Sequence, residues 1–220
     1  MKQMMAFVLI VVVLSGCAGK VTYRPPSGNF DIKNSMIVEL PKDEVWKRII
    51  PIIGTSFFTV NNLDKESGFI NVSYSGNPER YVDCGYLESY VMNLRGERTY
   101  RFPAAKAFQQ YETLERGTYL FRINRKMDLE GRINIVVQEI DKKRCLVSVN
   151  TKYLLTKSGS WTNPQGFSKT FSDTISFNTK GNNSFPNPRS KPTTCYCTGV
   201  LEKELLSLFL FENSLSLTRN

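Results

Sequence analysis

The chain has 220 residues, with 29 Lys and Arg against 20 Asp and Glu, no His, and 41% hydrophobic residues. This length and hydrophobic content indicate one folded domain of medium size rather than a disordered chain. Because His is absent, Ser-His-Asp and Cys-His catalytic sites and every His-containing zinc motif are excluded.

The N-terminus has the pattern of an export signal. Residues 4–14 form an apolar run of 11 residues, which is shorter than the roughly 20 residues that a membrane-spanning helix needs. We therefore expect residues 1–16 to be a signal peptide. Residues 14–17 (LSGC) resemble the lipobox of bacterial lipoproteins, which implies that Cys17 becomes the acylated N-terminus, carrying diacylglycerol and palmitate. The alternative is an ordinary signal peptide followed by an incidental cysteine.

The mature chain is predicted to begin with a tether and a short helix. Residues 17–41 combine the lipid-bearing Cys17 with several Pro, Gly and polar residues, a composition typical of a flexible linker. The predicted domain occupies residues 42–213. From Asp43 onward, apolar residues recur at helical spacing, which predicts a short amphipathic helix; they are Val45, Trp46, Ile49, Ile50 and Ile53.

A hairpin follows, from residues 56–60 to 69–74, and then a stretch without clear periodicity. We interpret residues 76–118 as an insertion that covers the core. This stretch is rich in Tyr and Arg, but it holds six basic and six acidic residues, so a nucleic-acid partner is not expected.

Alternating apolar and polar residues between 119 and 153 predict an antiparallel meander of three strands, with turns at residues 130–131 and 141–144, and one more strand is expected at residues 169–177. A proline-rich loop follows. A final helix is predicted to begin at Gly199, to bury Leu201 and Leu205, and to end at Asn213.

These elements predict an α+β fold: one antiparallel sheet flanked by a short N-terminal helix and a C-terminal helix. Their order resembles the helix-grip domain, and among lipoproteins it is similar to the domains of BamC, a component of outer-membrane protein assembly. The likeness lies in residues 45–50 (VWKRII), 57–72 and 199–202 (GVLE). It implies a helix-grip-like domain with protein partners in the cell envelope.

Four cysteines follow Cys17, and an exported chain meets an oxidising compartment, so they predict two disulfides. Cys195 and Cys197 are separated by one residue and lie too far apart in an extended strand to pair with each other. Each is therefore expected to pair with Cys84 or Cys145, in an order that the sequence leaves open. The alternative is a metal site built from all four thiols.

Two binding surfaces are predicted. Residues 119–170 hold 10 basic and 4 acidic side chains, and Arg122, Lys126, Arg132 and Lys152 belong to the polar sets of adjacent strands. Such a face would contact anionic lipid, lipopolysaccharide or peptidoglycan; the alternative is an ordinary solvated sheet face. An apolar cavity or, alternatively, a filled core is expected between two sets of residues: Leu201, Leu205, Leu208 and Phe209 on the helix, and Tyr119, Phe121, Val147 and Val149 on the sheet.

No nucleotide-binding, cofactor or nucleophile motif is present. The leading hypothesis is a non-catalytic, periplasm-facing outer-membrane lipoprotein that serves as an accessory or scaffold subunit of an envelope assembly or secretion complex. Ala18 rather than Asp after the lipidated cysteine favours the outer membrane. The alternatives are a carrier of an apolar ligand or lipid and, third, a hydrolase that uses carboxylates such as Asp173.

Overall fold

The computed structural model describes residues 17–28, 31–116, 119–187 and 191–211. The predicted signal peptide and the predicted helix end at Asn213 lie outside these residues. Within them, 60% of the residues are in strands and 11% in helices. The predicted α+β helix-grip-like fold class is therefore wrong, and the protein is mainly antiparallel β-sheet.

The described residues form 13 strands and two helices. The strands are β1 (Ala18–Arg24), β2 (Ser35–Val38), β3 (Thr59–Asp64), β4 (Phe69–Gly76), β5 (Val82–Asp83), β6 (Tyr86–Asn93), β7 (Gly96–Pro103), β8 (Phe108–Glu115), β9 (Tyr119–Asp141), β10 (Arg144–Thr162), β11 (Ser168–Asn178), β12 (Asn182–Phe185) and β13 (Thr193–Cys197). The helices are α1 (Lys42–Gly54) and α2 (Val200–Ser207).

A long hairpin of β9 and β10 is the spine of the main sheet. The turn predicted at residues 130–131 is absent, because β9 is one continuous strand through them. The main sheet has the order β11-β10-β9-β4-β3, and β2 and β8 add to β10 and β9. The sheet is long because polar and apolar residues alternate along β9 from Arg122 to Val137 almost without interruption. The turn between the two strands, residues 141–144, is here called the lysine turn because it contains Lys142 and Lys143.

The two helices cover one face of the lower half of this sheet, the half nearer the lysine turn. Helix α1 buries four apolar residues and α2 buries three, Leu201, Leu205 and Leu206, as their spacing predicts. These apolar residues join one continuous core with the inward side chains of β4, β9 and β10. Both helices were thus predicted at the right place, although α2 ends at Ser207.

The upper half of the sheet is covered by strands instead of helices. A separate three-stranded sheet of order β1-β6-β7 lies against β8. Two predictions are corrected by this arrangement. Residues 18–24 do not form a flexible tether, because all seven pair with β6. Residues 76–118 are not an insertion outside the sheets, because they supply β5 to β8 and β8 pairs with β9 of the main sheet.

A third small sheet, of order β12-β13-β5, closes the side of the helical half. A disulfide between Cys84 and Cys195 links the segment that enters β6 to the strand that leads into α2. The bond therefore joins the strand cover of the upper half to the helical cover of the lower half.

Candidate partner-binding surface

Strand β3 is an open edge of the main sheet. Among the described residues it pairs only with β4, and all six of its residues are exposed. Val60 and Leu63 lie opposite the buried Val72 and Ile70, yet they keep 37% and 42% of their surface exposed because no strand lies beyond them. We call β3 the open edge.

The segment that enters the open edge adds an exposed aromatic ring. Phe57 is 63% exposed, and its ring contacts Phe58 and Tyr74 at centroid distances of 4.2 and 6.0 Å. Soluble proteins usually protect such an edge with charges, proline or a covering loop. The open edge has a bulge between Val60 and Asn62 but no Lys, Arg or Pro among its six residues. An edge with exposed apolar side chains is typical of a site that receives another chain.

A row of asparagines runs from the open edge across the outer face of the sheet. Asn61 donates a hydrogen bond to Asn71 Oδ1 at 2.9 Å, and Asn71 donates to Asn134 Oδ1 at 2.6 Å. Asn134 lies opposite Asn150, which accepts a bond from Asn34 at 3.0 Å. These five residues are here called the asparagine row. The bonds within the group of Asn61, Asn71 and Asn134, and the bond from Asn34 to Asn150, hold these amide groups in place before any partner arrives.

The four predicted basic residues all lie on the outer face, but they do not form one site. Arg132 and Lys152 lie directly opposite each other on β9 and β10. Lys126 is six residues from Arg132, which corresponds to roughly 20 Å along a strand, and Arg122 lies farther still. The structure therefore divides the predicted basic surface into two parts.

Arg132 and Lys152 line a shallow groove of about 590 Å³ next to the asparagine row. Lys180, beyond the end of β11, adds a third cation that the sequence analysis missed. Arg132 also contacts Glu130 at 2.7 Å, with both side chains exposed, so the pair is weakly held in water. Amide groups and cations together suit a partner rich in carboxylates and hydroxyls.

The predicted cavity walls pack against one another or lie far apart. Leu201, Leu205, Val147 and Val149 are fully buried in the main core. Tyr119 and Phe121 lie at the upper end of β9, far from α2. The groove that does adjoin α2 is on its outer side: it has a volume of about 440 Å³ and is lined by Ile32, Met36, Leu206 and Leu210, with Lys33 and Lys203 among its other residues.

One of the two predicted disulfides is present. Cys84 is bonded to Cys195, whereas Cys145 and Cys197 are buried free thiols. Cys145 donates to the Leu40 carbonyl near the lysine turn, and Cys197 donates to the Thr179 carbonyl. Thr179 bonds to Thr151, which lies six residues or about 20 Å along β10 from Cys145, so the two thiols cannot meet.

The structure contains a buried polar cluster that the sequence analysis did not identify as one. Glu202 is fully buried and accepts bonds of 2.8 and 2.9 Å from the Tyr153 hydroxyl and one of 2.9 Å from Thr179 Oγ1. Burial, with Glu202 nearby, raises the pKa of the Cys197 thiol to about 12. A buried thiol that stays protonated is unreactive, so the cluster fits a structural role. Tyr153 was the available signal, since a buried hydroxyl requires a partner.

The other residues that the sequence indicated for chemistry do not form a site within the described structure. Asp173 is exposed and contacts Lys157 Nζ at 3.1 Å. Across the described ranges, no group of three or more His, Cys, Asp and Glu side chains is placed to hold a metal ion. Cys17 is exposed and lies immediately before β1. In the same ranges, neither helix has the length and apolar character required to cross a membrane.

Comparison with known proteins yields no match: no family model, curated protein or solved structure is significantly similar to this chain. The functional conclusion therefore rests on the residues and their geometry.

Proposed function

We propose that this protein is a non-catalytic lipoprotein, anchored through Cys17 in the outer membrane and facing the periplasm, where it serves as an accessory or scaffold subunit of an envelope assembly or secretion complex. The observation that carries this proposal is the open edge. An unpaired strand with exposed Val60 and Leu63, beside the exposed Phe57, is a surface suited to a protein partner.

A partner strand would add to the sheet beside β3. Its backbone would take up the N–H and C=O groups that β3 leaves without a strand neighbour in the described structure. Its inward side chains would contact Val60 and Leu63 and extend the apolar cover beside α1, whereas its outward side chains would meet Asn61 at the end of the asparagine row. Backbone pairing supplies affinity in this mode, and the flanking side chains supply selectivity.

The groove beside the asparagine row supplies a second set of contacts for the same complex. This groove is open to solvent and is lined by Arg132, Lys152 and Lys180. An acidic loop of the partner or a stretch of peptidoglycan would therefore fit there. Such contacts guide association and select the partner more than they add affinity.

The test is affinity purification of the lipidated protein from native membranes after chemical crosslinking. We expect the double variant Val60→Lys and Leu63→Lys to lose the envelope proteins that the unmodified chain retains, because two cations at the edge oppose strand addition. Ile37→Lys is the matched control, since Ile37 is also an exposed apolar strand residue, at 51% exposure, but lies on β2. Equal partner recovery from the edge variant and the control would refute the edge as the docking site.

Intact-mass measurement of the same preparation tests the anchor separately. An acylated Cys17 as first residue is expected, and Cys17→Ser is expected to abolish both acylation and membrane flotation. A mature chain without lipid would contradict the anchor while leaving the edge hypothesis open to its own test.

A second function, transport of an apolar ligand, is favoured by the groove beside α2. Its floor is formed by Ile32, Met36, Leu206 and Leu210, and Lys33 and Lys203 could contact an anionic head group. If this function is correct, lipid extracts of the purified protein will contain one enriched lipid, and Leu206→Lys will remove it. Extracts that match the bulk membrane would exclude the carrier function.

A further inference from the structure

Cys17 and two hairpin turns lie together at the upper end of the molecule. Ala18 pairs with Met92, so Cys17 is next to the β6–β7 turn, which contains Leu94 and Arg95. Arg95 in turn lines the same small groove as Pro164 of the β10–β11 turn. We call this region the Cys17 end; it comprises Cys17, these two turns, the first residues of β9 and the last residues of β10, including the half-buried Trp161.

The Cys17 end is unusually apolar for a set of turns in water. Leu94 is 91% exposed, Tyr119 54% and Phe167 50%. Phe167 also belongs to an aromatic cluster: its ring lies 6.0 Å from Phe121, which is 6.4 Å from Trp161. Exposed apolar groups that cluster in this way mark a surface that contacts another phase or molecule.

Exposed basic side chains accompany the apolar ones. Lys20 and Arg122 lie on the strands that reach this end, Arg95 is in the β6–β7 turn, and Lys169 follows the β10–β11 turn. Aromatic residues with Lys and Arg nearby are the combination found at the boundary between a bilayer and water, where rings lie among the headgroups and cations contact phosphate.

The position of β1 identifies what covers this end. Residue 18 already belongs to a strand paired with β6, so no flexible spacer separates Cys17 from the folded domain. Consecutive Cα atoms are about 3.8 Å apart. An acyl chain on Cys17 would therefore hold the Cys17 end directly against the lipid headgroups instead of at the end of a long tether.

We propose that the Cys17 end docks into the surface of the bilayer that carries the lipid anchor, with Leu94, Trp161 and Phe167 among the headgroups. The location of this docking rests on the proposed acylation of Cys17. Its consequence is a fixed orientation: β10 spans 19 residues, so the lysine turn stands up to about 60 Å from the membrane. The open edge, paired through β4 with the lower half of β9, faces the aqueous side.

The chain has two tryptophans, Trp46 and Trp161, and they make the docking measurable. Trp46 is 9% exposed in the core of the helical half, whereas Trp161 belongs to the Cys17 end. The experiment uses the lipidated protein in vesicles of phosphatidylethanolamine and phosphatidylglycerol whose acyl chains are brominated near the headgroups. Bromine quenches only indole rings that enter the bilayer surface.

In Trp46→Phe, where Trp161 is the sole tryptophan, we expect bromolipid to quench most of the emission and aqueous acrylamide to quench little. In Trp161→Phe, where Trp46 remains, we expect no bromolipid quenching. If Trp46→Phe does not fold, the difference between the unmodified chain and Trp161→Phe supplies the same signal. Leu94→Ser combined with Phe167→Ser is expected to lower the quenching of Trp161, and Ile37→Ser, at the opposite end, is the control.

Vesicle flotation in the same samples separates the two proposals. Protein that floats while Trp161 remains open to acrylamide and unquenched by bromolipid would overturn the docking and leave the anchor intact. Protein that carries no lipid and does not float would overturn the anchor, and with it the docking. Floating protein with quenched Trp161 in the Trp46→Phe variant, and no quenching in Trp161→Phe, supports the inference.

Discussion

Strand β9 runs through two halves of the protein that bury the same sheet face in different ways. Below, Met127, Leu129, Ile133, Ile135 and Val137 lie under two helices and are at most 1% exposed. Above, the inward residues Ile123 and Arg125 lie beside β8, against which the three-stranded sheet packs. The buried set of the upper half includes the polar residues Ser89 and Thr113 as well.

The difference shows that the two covers are held by different forces. Helices α1 and α2 contribute apolar side chains that interlock with the lower half, so burial of apolar surface holds them in place. The strand cover depends more on polar contacts, such as the 2.5 Å bond from Ser89 Oγ to the Glu112 carbonyl. Such bonds contribute about 1 kcal/mol each.

The largest effect is expected from removing the bond that joins the two covers. The double variant Cys84→Ala and Cys195→Ala opens a loop closed over 111 residues, and we expect it to lower the free energy of unfolding by about 4 to 5 kcal/mol. Urea titration measures the change. The control Cys145→Ala removes a free buried thiol and is expected to cost about 1 kcal/mol. Equal costs would mean that the disulfide does not join the halves.

A matched pair on β9 compares the two covers directly. Ile135→Ala in the lower half is expected to cost about 4 kcal/mol, and Ile123→Ala in the upper half about 2 kcal/mol, because a less apolar surrounding loses less when a cavity opens. Both residues face inward on one strand, at 0% and 6% exposure. Urea titration of both variants is the measurement. A larger loss at Ile123 would reverse the proposed difference between the halves.

At Arg125 we expect a substitution that raises the free energy of unfolding instead of lowering it. Its guanidinium is buried, Nη1 has no hydrogen-bond partner within the described structure, and burial lowers its pKa to about 10. The charged form is therefore disfavoured, so Arg125→Met is expected to stabilise the fold by about 1 kcal/mol. Arg122→Met, on the exposed face of the same strand, is the control and should change stability by less than about 0.5 kcal/mol. Thermal unfolding that shows a strong loss for Arg125→Met would contradict this view of the upper half.

The smallest expected effect is a pH dependence of the helical half. The pKa of Cys197 is raised from 9.0 to about 12 by burial and by Glu202. A raised pKa means that the contribution of the neutral thiol is complete below pH 9 and disappears as the pH rises toward 12. We expect Cys197→Ala to lose less stability than the unmodified chain between about pH 9 and pH 11, as measured by thermal unfolding.

Tyr153→Phe separates this contribution from that of the neighbouring phenol. Burial also raises the pKa of Tyr153, from 10.0, so the phenol affects stability only above about pH 10. Tyr153→Phe should therefore keep the loss of stability with rising pH that begins near pH 9. If this loss disappears in the variant, Cys197 is not the titrating group.

The sequence predicted individual elements better than their assembly. Helical spacing located α1 and α2 because that pattern is local. Alternation found the strand residues of β9 and β10, but the turn predicted at Glu130 and Gly131 is wrong, because β9 continues through both residues and pairs there with β10. Residues 18–24, and β5 within residues 76–118, were misjudged because they pair with partners far along the chain, as Gly19 does with Val91 and Val82 with Cys197. Such pairing leaves little trace in a single segment. Because these strands were not predicted, the fold class was predicted as α+β instead of mainly antiparallel β-sheet.

The candidate surface was predicted in part for the same reason. Alternation placed Arg132 and Lys152 on one face, but Lys180 lies beyond β11, and only the register brings it to the groove. The asparagine row combines residues that lie between positions 34 and 150 of the chain, so no motif within one segment predicts it. The disulfide pairing likewise required the positions of β5 and β13, which no spacing of cysteines specifies.

The most direct test of the central claim is site-specific photo-crosslinking at the open edge in living cells. A photoreactive residue at Val60 of the lipidated protein should form a discrete crosslink to one envelope protein, and the same residue at Ile37 should not. Both positions are exposed on strands, so they capture random neighbours equally well. A crosslink of equal yield from both positions, or none from Val60, would contradict the account of the open edge as the partner-binding site.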